Sequence, residues 1–141
     1  MGQYWKPVNL DKREFIDPHK LGDGLKLWEQ LASHPGTGAA LIVLCAAMPA
    51  PRGGGDLDAD PVIGRWAVDR VALIGDYAED SDLKDSPVPA SKLYGLCRCN
   101  EAENSDPAAF RDITAAVRAV IERELNGRYV GEDYEFVENK T

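Results

Sequence analysis

The chain is predicted to be α+β: an antiparallel sheet with an N-terminal β-hairpin, packed against two or three helices. Three observations predict it. Short runs rich in β-branched and aromatic residues read as strands over Tyr4–Leu10, Glu14–Ile16 and Arg70–Ile74. Apolar residues recur at helical spacing from Leu21 to Ala32 and from Ile113 to Leu125. These segments are mixed without the regular strand–helix alternation of a parallel fold.

The elements follow in chain order. Tyr4–Leu10 and Glu14–Ile16 form the hairpin around Asp11-Lys12-Arg13. Pro7 lacks a ladder donor, which predicts an edge position or a bulge for the first strand. Asp23 can cap a helix running to about Ala32, with Leu21, Leu25, Trp28 and Ala32 as its buried stripe and Leu27 and Leu31 widening it. Thr37 can cap a second helix, from Gly38 to about Met48. This segment is apolar all round, so the helix is expected to be nearly fully buried, Cys45 included. A strand over Ala40–Cys45 competes, but the run length and the alanines favour helix.

Pro49 to Pro61 is rich in Gly, Pro and Asp and is expected to be a mobile loop. Gly75-Asp76 ends the Arg70–Ile74 strand. Glu79, Asp80, Asp82 and Asp85 then form an acidic loop closed by Pro87 and Pro89. Lys92–Cys99 reads as a strand and Asn100–Pro107 as a polar loop. Ile113–Leu125 is a helix with Ile113, Val117, Val120, Ile121 and Leu125 buried, capped by Asp112 or Thr114 and stopped at Asn126-Gly127. Arg128–Val137 reads as a last strand.

A chain of 141 residues suits one globular domain spanning residues 1–141. A domain of this size buries roughly 70% of its unfolded surface and needs no disulfide or metal to fold. The formal net charge of −8 argues against nonspecific binding to nucleic acid or to anionic lipid. It favours encounter with a basic partner. The longest apolar run, Ala39 to Ala50, is too short for a bilayer span. Three cysteines, Cys45, Cys97 and Cys99, with a polar N-terminus, point to a reducing, cytoplasmic setting. Cys97-Arg98-Cys99 has no second pair to complete a zinc site.

The candidate chemistry centres on the loop before the first helix. Asp17, His19 and Asp23 there offer imidazole and carboxylate donors that suit a divalent metal. Asp17 also suits a turn and Asp23 a helix cap, so structural roles compete. Asp76, with Glu79, Asp80 and Asp82, follows a strand end, where carboxylates can bind a metal or act as a base. Asp56, Asp58 and Asp60 begin like a calcium loop, but Pro61 and Ala67 stand where glycine and an acid are required. His34-Pro35-Gly36-Thr37-Gly38 precedes a helix, as an anion site does, yet it lacks the glycine and lysine spacing of a phosphate loop. No nucleophile elbow or zinc-protease motif is present, and no cofactor is expected. Trp5, Trp28 and Trp66 are expected in the core, with a pocket or interface as the competing role.

The stretch Gly2–Gln30, with Gly64-Arg65-Trp66-Ala67-Val68-Asp69-Arg70 and Gly75-Asp76-Tyr77, resembles a family of small bacterial and phage proteins. The resemblance covers the first half best. It brings no assigned activity, cofactor or catalytic residue, and it marks the 49–61 loop as an insertion. The expectation is therefore a small acidic cytosolic protein that binds a basic protein without catalysis. The alternative is a metal-dependent hydrolase, or a nucleotide- or phosphate-binding enzyme, built on Asp17, His19, Asp23 and Asp76. A homo-oligomeric component, suggested by the Ala39–Met48 run, is a third possibility.

Overall fold

The computed structural model describes residues 2–32, 35–98 and 107–126. The fold is α+β, with four strands in the order β3-β1-β2-β4. These are β1 (Trp5–Asn9), β2 (Glu14–Phe15), β3 (Val71–Gly75) and β4 (Arg111–Asp112). The helices are α1 (Leu27–Ala32), α2 (Thr37–Cys45), α3 (Ala90–Leu96) and α4 (Thr114–Asn126). The N-terminal hairpin forms as expected, with Val8 opposite Phe15 and Asn9 opposite Glu14.

The sheet is mixed rather than antiparallel throughout. β1 runs antiparallel to β2 and β3, whereas β2 and β4 are parallel, pairing Glu14 with Arg111 and Phe15 with Asp112. β1 is also interior, contrary to the edge position that Pro7 suggested. The register explains how proline fits. The bonds Leu10 N–H to Arg70 O and Asp76 N–H to Tyr4 O mark the even positions of β1 as those bonded to β3. Pro7 is odd, so its nitrogen faces β2. There its carbonyl accepts the Ile16 amide just beyond the last paired residues, where the missing donor interrupts nothing.

Two apolar clusters lie on opposite sides of the sheet. Successive strand residues point to opposite faces. Phe15 accordingly joins Val8, Ile74, Leu93, Cys97 and Phe110, while Ile16 joins Leu21, Leu44, Trp66, Val117 and Val120. The first cluster seats α3, and the second seats α2 and α4.

Several elements differ from expectation. The expected Lys92–Cys99 strand is replaced over Lys92–Leu96 by helix: α3 begins behind Pro89 and buries Ala90 and Leu93, with Cys97 following one turn on. Helix α1 starts only at Leu27, and the residue it buries is Gln30, whose side-chain amide bonds the Trp5 and Leu25 carbonyls. Leu27, Trp28 and Leu31 face solvent instead. Of the tryptophans, Trp66 is buried, Trp5 half-buried and Trp28 exposed.

Helix α2 is a helix, not the competing strand, but it is shorter than expected and not enclosed. Ile42 and Cys45 are exposed. Helix α4 matches its expectation within a residue, burying Val117, Val120 and Ile121. Its cap is Asp112, whose Oδ1 accepts the Thr114 amide at 2.9 Å. The 49–61 segment carries no helix or strand. The expected Arg128–Val137 strand and most of the Asn100–Pro107 loop lie outside the described residues, as do His34 and Cys99.

Candidate functional site

Of the anticipated metal loop, Asp17 and Asp23 hold the fold through their carboxylates, whereas His19 takes part through its backbone. Asp17 is buried; its Oδ1 accepts the His19 amide at 3.0 Å, capping a 3-10 turn over Pro18–Leu21. Its own amide donates to Thr114 Oγ1 at 2.7 Å. His19 is exposed in that turn. Asp23 is buried and caps α2 rather than α1, its Oδ2 accepting the Thr37 amide at 2.8 Å and the Thr37 hydroxyl at 2.6 Å. Asp76 Oδ1 accepts the Tyr4 amide at 2.8 Å, extending the β1–β3 pairing. Among the described residues, no group of three or more His, Cys, Asp or Glu side chains is placed to hold a metal ion.

The other sequence candidates are accounted for similarly. The Asp23 carboxylate occupies the start of α2, so the turn before that helix already holds an anion of its own. Asp56 Oδ2 accepts the Arg52 and Gly53 amides, and Asp60 Oδ1 accepts the Val62 amide. Glu79 and Asp82 form a reciprocal cap on a 3-10 turn over Asp80–Asp82. Asp80 accepts the Ser91 amide at the start of α3. Burial pushes the Cys97 thiol up to about 12, so it stays protonated.

A different cluster, built from distant parts of the chain, gathers the strongest electrostatics. Glu14 lies in β2 with a nearly inaccessible side chain. Its carboxylate accepts Arg65 Nε at 2.9 Å and Arg65 Nη2 at 2.6 Å, Trp66 Nε1 at 2.9 Å, and Arg111 Nη2 at 2.5 Å. Burial would raise its pKa, but hydrogen bonds from Arg65, Trp66 and Arg111 outweigh it and bring the group down to about 2. The parallel pairing of β2 with β4 sets Arg111 opposite Glu14. The two guanidinium groups and the first turn of α4 border a cleft of about 480 Å³. The sequence offered one hint of this cluster: a tryptophan buried to the ring nitrogen needs an acceptor. Nothing in the spacing pointed to Glu14, which is 52 residues from Trp66 and 97 from Arg111.

A second feature is apolar. Leu27, Trp28 and Leu31 are 45%, 72% and 75% exposed on α1. Leu27 and Leu31 edge a shallow groove of about 350 Å³ that continues over Leu41 and Leu73. The bond from the Trp5 amide to the Leu25 carbonyl brings the start of β1 beside the entry to α1. Tyr4 is tied to Asp76, so the acidic segment begins at this same end of the sheet.

No protein-family model, curated protein or solved structure matches the chain. No helix among the described residues is long and apolar enough to cross a membrane.

Proposed function

We propose that this chain is a non-catalytic binding protein for a basic protein partner, received on the face of α1. The observation that carries the reading is the exposure of Leu27, Trp28 and Leu31 on one short helix. Large apolar side chains grouped on a surface favour association, and tryptophan is enriched among residues that dominate interface energies. The charge of the chain supplies the complement. Its net charge is −8, and residues 76–85 contribute Asp76, Glu79, Asp80, Asp82 and Asp85 against Lys84 alone. An acidic segment that begins beside this end of the sheet, on a chain of net negative charge, steers a basic protein toward it. A reducing, cytoplasmic setting suits the two described cysteines, Cys45 and Cys97, both free thiols.

The test is cross-linking and capture from the native host at low salt, comparing the wild-type chain with a Trp28→Ser/Leu31→Ser variant. The expected result is a basic protein retained by the wild type, released as salt rises and lost from the variant. Retention of the same protein by both chains, or of none under cross-linking, would overturn the proposal. Sedimentation of the purified chain provides the other arm. A dimer dissolved by the same substitutions would make a second copy the occupant instead.

A further inference from the structure

We infer that the groove beside α1 receives a tryptophan side chain of the protein partner, its indole N–H donating to Gln30 Oε1. The groove is part of the α1 face, so this occupant rests on the reading of that face as the partner's seat. Leu27, Leu31, Leu41 and Leu73 give the groove apolar walls over about 350 Å³, and no charged residue lines it. Gln30 and Thr37 are its polar side chains. Gln30 is 4% exposed, and its Oε1 has no donor among the described residues. The orientation of this amide is fixed. Gln30 Nε2 donates at 2.8 Å to the Trp5 carbonyl and at 2.9 Å to the Leu25 carbonyl, and carbonyls only accept. The oxygen is therefore the atom left over.

The missing contact defines the occupant. A buried carbonyl without a donor is costly, and one hydrogen bond relieves the cost. Both Gln30 amide hydrogens go to carbonyls, and the Thr37 hydroxyl hydrogen goes to Asp23 Oδ2. The side chains of the groove thus offer acceptors and no donor, and a ligand that buried an acceptor against them would leave it unpaired. A lysine or arginine of the basic partner would bring its charge into an apolar groove with no carboxylate to meet it. Indole avoids both penalties: its N–H is its single polar group, it donates only, and its rings are apolar. Tryptophan is also among the residues that dominate interface energies. Gln30 Oε1 lies out of reach of solvent, so the ring has to push aside side chains at the edge of the groove. Leu27 and Leu31 there are 45% and 75% exposed, and little packing opposes a change of rotamer.

The experiment is calorimetric titration and thermal unfolding of the full chain with indole and with 1-methylindole, which keeps the rings and lacks the N–H. Two variants accompany the wild type. Gly38→Leu fills the groove: Gly38 lines it from α2, and a Cβ there meets nothing within 4 Å. Gln30→Met removes the acceptor and keeps the length of the side chain. The expected result is saturable indole binding with a rise in Tm, about tenfold tighter than binding of 1-methylindole. Gln30→Met should abolish that difference, and Gly38→Leu should abolish binding of both probes. Should Gln30→Met fail to fold, the two probes and Gly38→Leu decide. Equal affinity for the two probes, no saturable binding, or full binding by folded Gly38→Leu would each overturn the inference. Capture from the native host reads the α1 face separately. A basic protein retained there, with no indole binding, overturns the tryptophan pocket alone. Indole binding with no protein retained overturns the protein partner and makes a free indole-type ligand the occupant.

Discussion

Glu14 shows how a single side chain can set a pH limit on the whole chain. Its folded pKa of about 2 lies below the ordinary value of 4.5, so ionisation favours the folded state. That contribution is complete above about pH 4.5 and is lost as pH falls through about 2. The size is on the order of 3 kcal/mol, from about 1.4 kcal/mol per pKa unit. Glu14→Gln is expected to cost about 3 kcal/mol at neutral pH, since it leaves two arginines without their shared acceptor. It should also flatten the acid limb of stability, which denaturant melts of both chains between pH 2 and 7 will show. Val68 is the opposite case, a residue at odds with its backbone. It is fully exposed with φ of 65°, a left-handed conformation that β-branched side chains resist. Val68→Asn should stabilise the chain by about 1 kcal/mol, read as a rise in Tm.

At the scale of the element, caps and starting points decide which faces are buried. Asp23 was legible as a cap, but its helix was not. The sequence places it just before the Leu25–Ala32 pattern, whereas folding carries it 14 residues along, to Thr37. Gly36 permits the approach: a Cβ there would lie 2.2 Å from Asp23 Oδ1. Asp23→Ala is therefore expected to cost about 1–2 kcal/mol, with Asp23→Asn costing less because it keeps one acceptor. Urea melts of the two variants, followed by helical circular dichroism, will rank them. Helix α1 had a true helical period but a late start, and six residues cannot bury the whole stripe. Helix α3 was misread because Lys92–Cys99 also suits a strand. Its buried face, Ala90 and Leu93, emerges only once the element is seen to begin behind Pro89. Helix α4 was legible because its period, length and cap agree.

At the scale of the molecule, the α+β class was readable from pattern and the sheet order was not. The parallel pairing of β2 with β4 rests on two residues from each strand, too short for any periodicity to announce. The site chemistry was hidden for the same reason. Asp17, His19 and Asp23 are close in sequence and drew notice, yet Asp17 and Asp23 serve separate elements. Glu14, Arg65 and Arg111 are remote in sequence and meet only after the sheet closes.

That meeting has a kinetic consequence. A carboxylate withdrawn from water with only one of its cations is strongly disfavoured. The turn bearing Arg65 and Trp66, and the strand bearing Arg111, must both arrive before Glu14 can be sealed beneath them. Half-assembled chains thus have no comfortable resting place. Folding is pressed toward a single concerted step, in which the two halves of the sequence commit together.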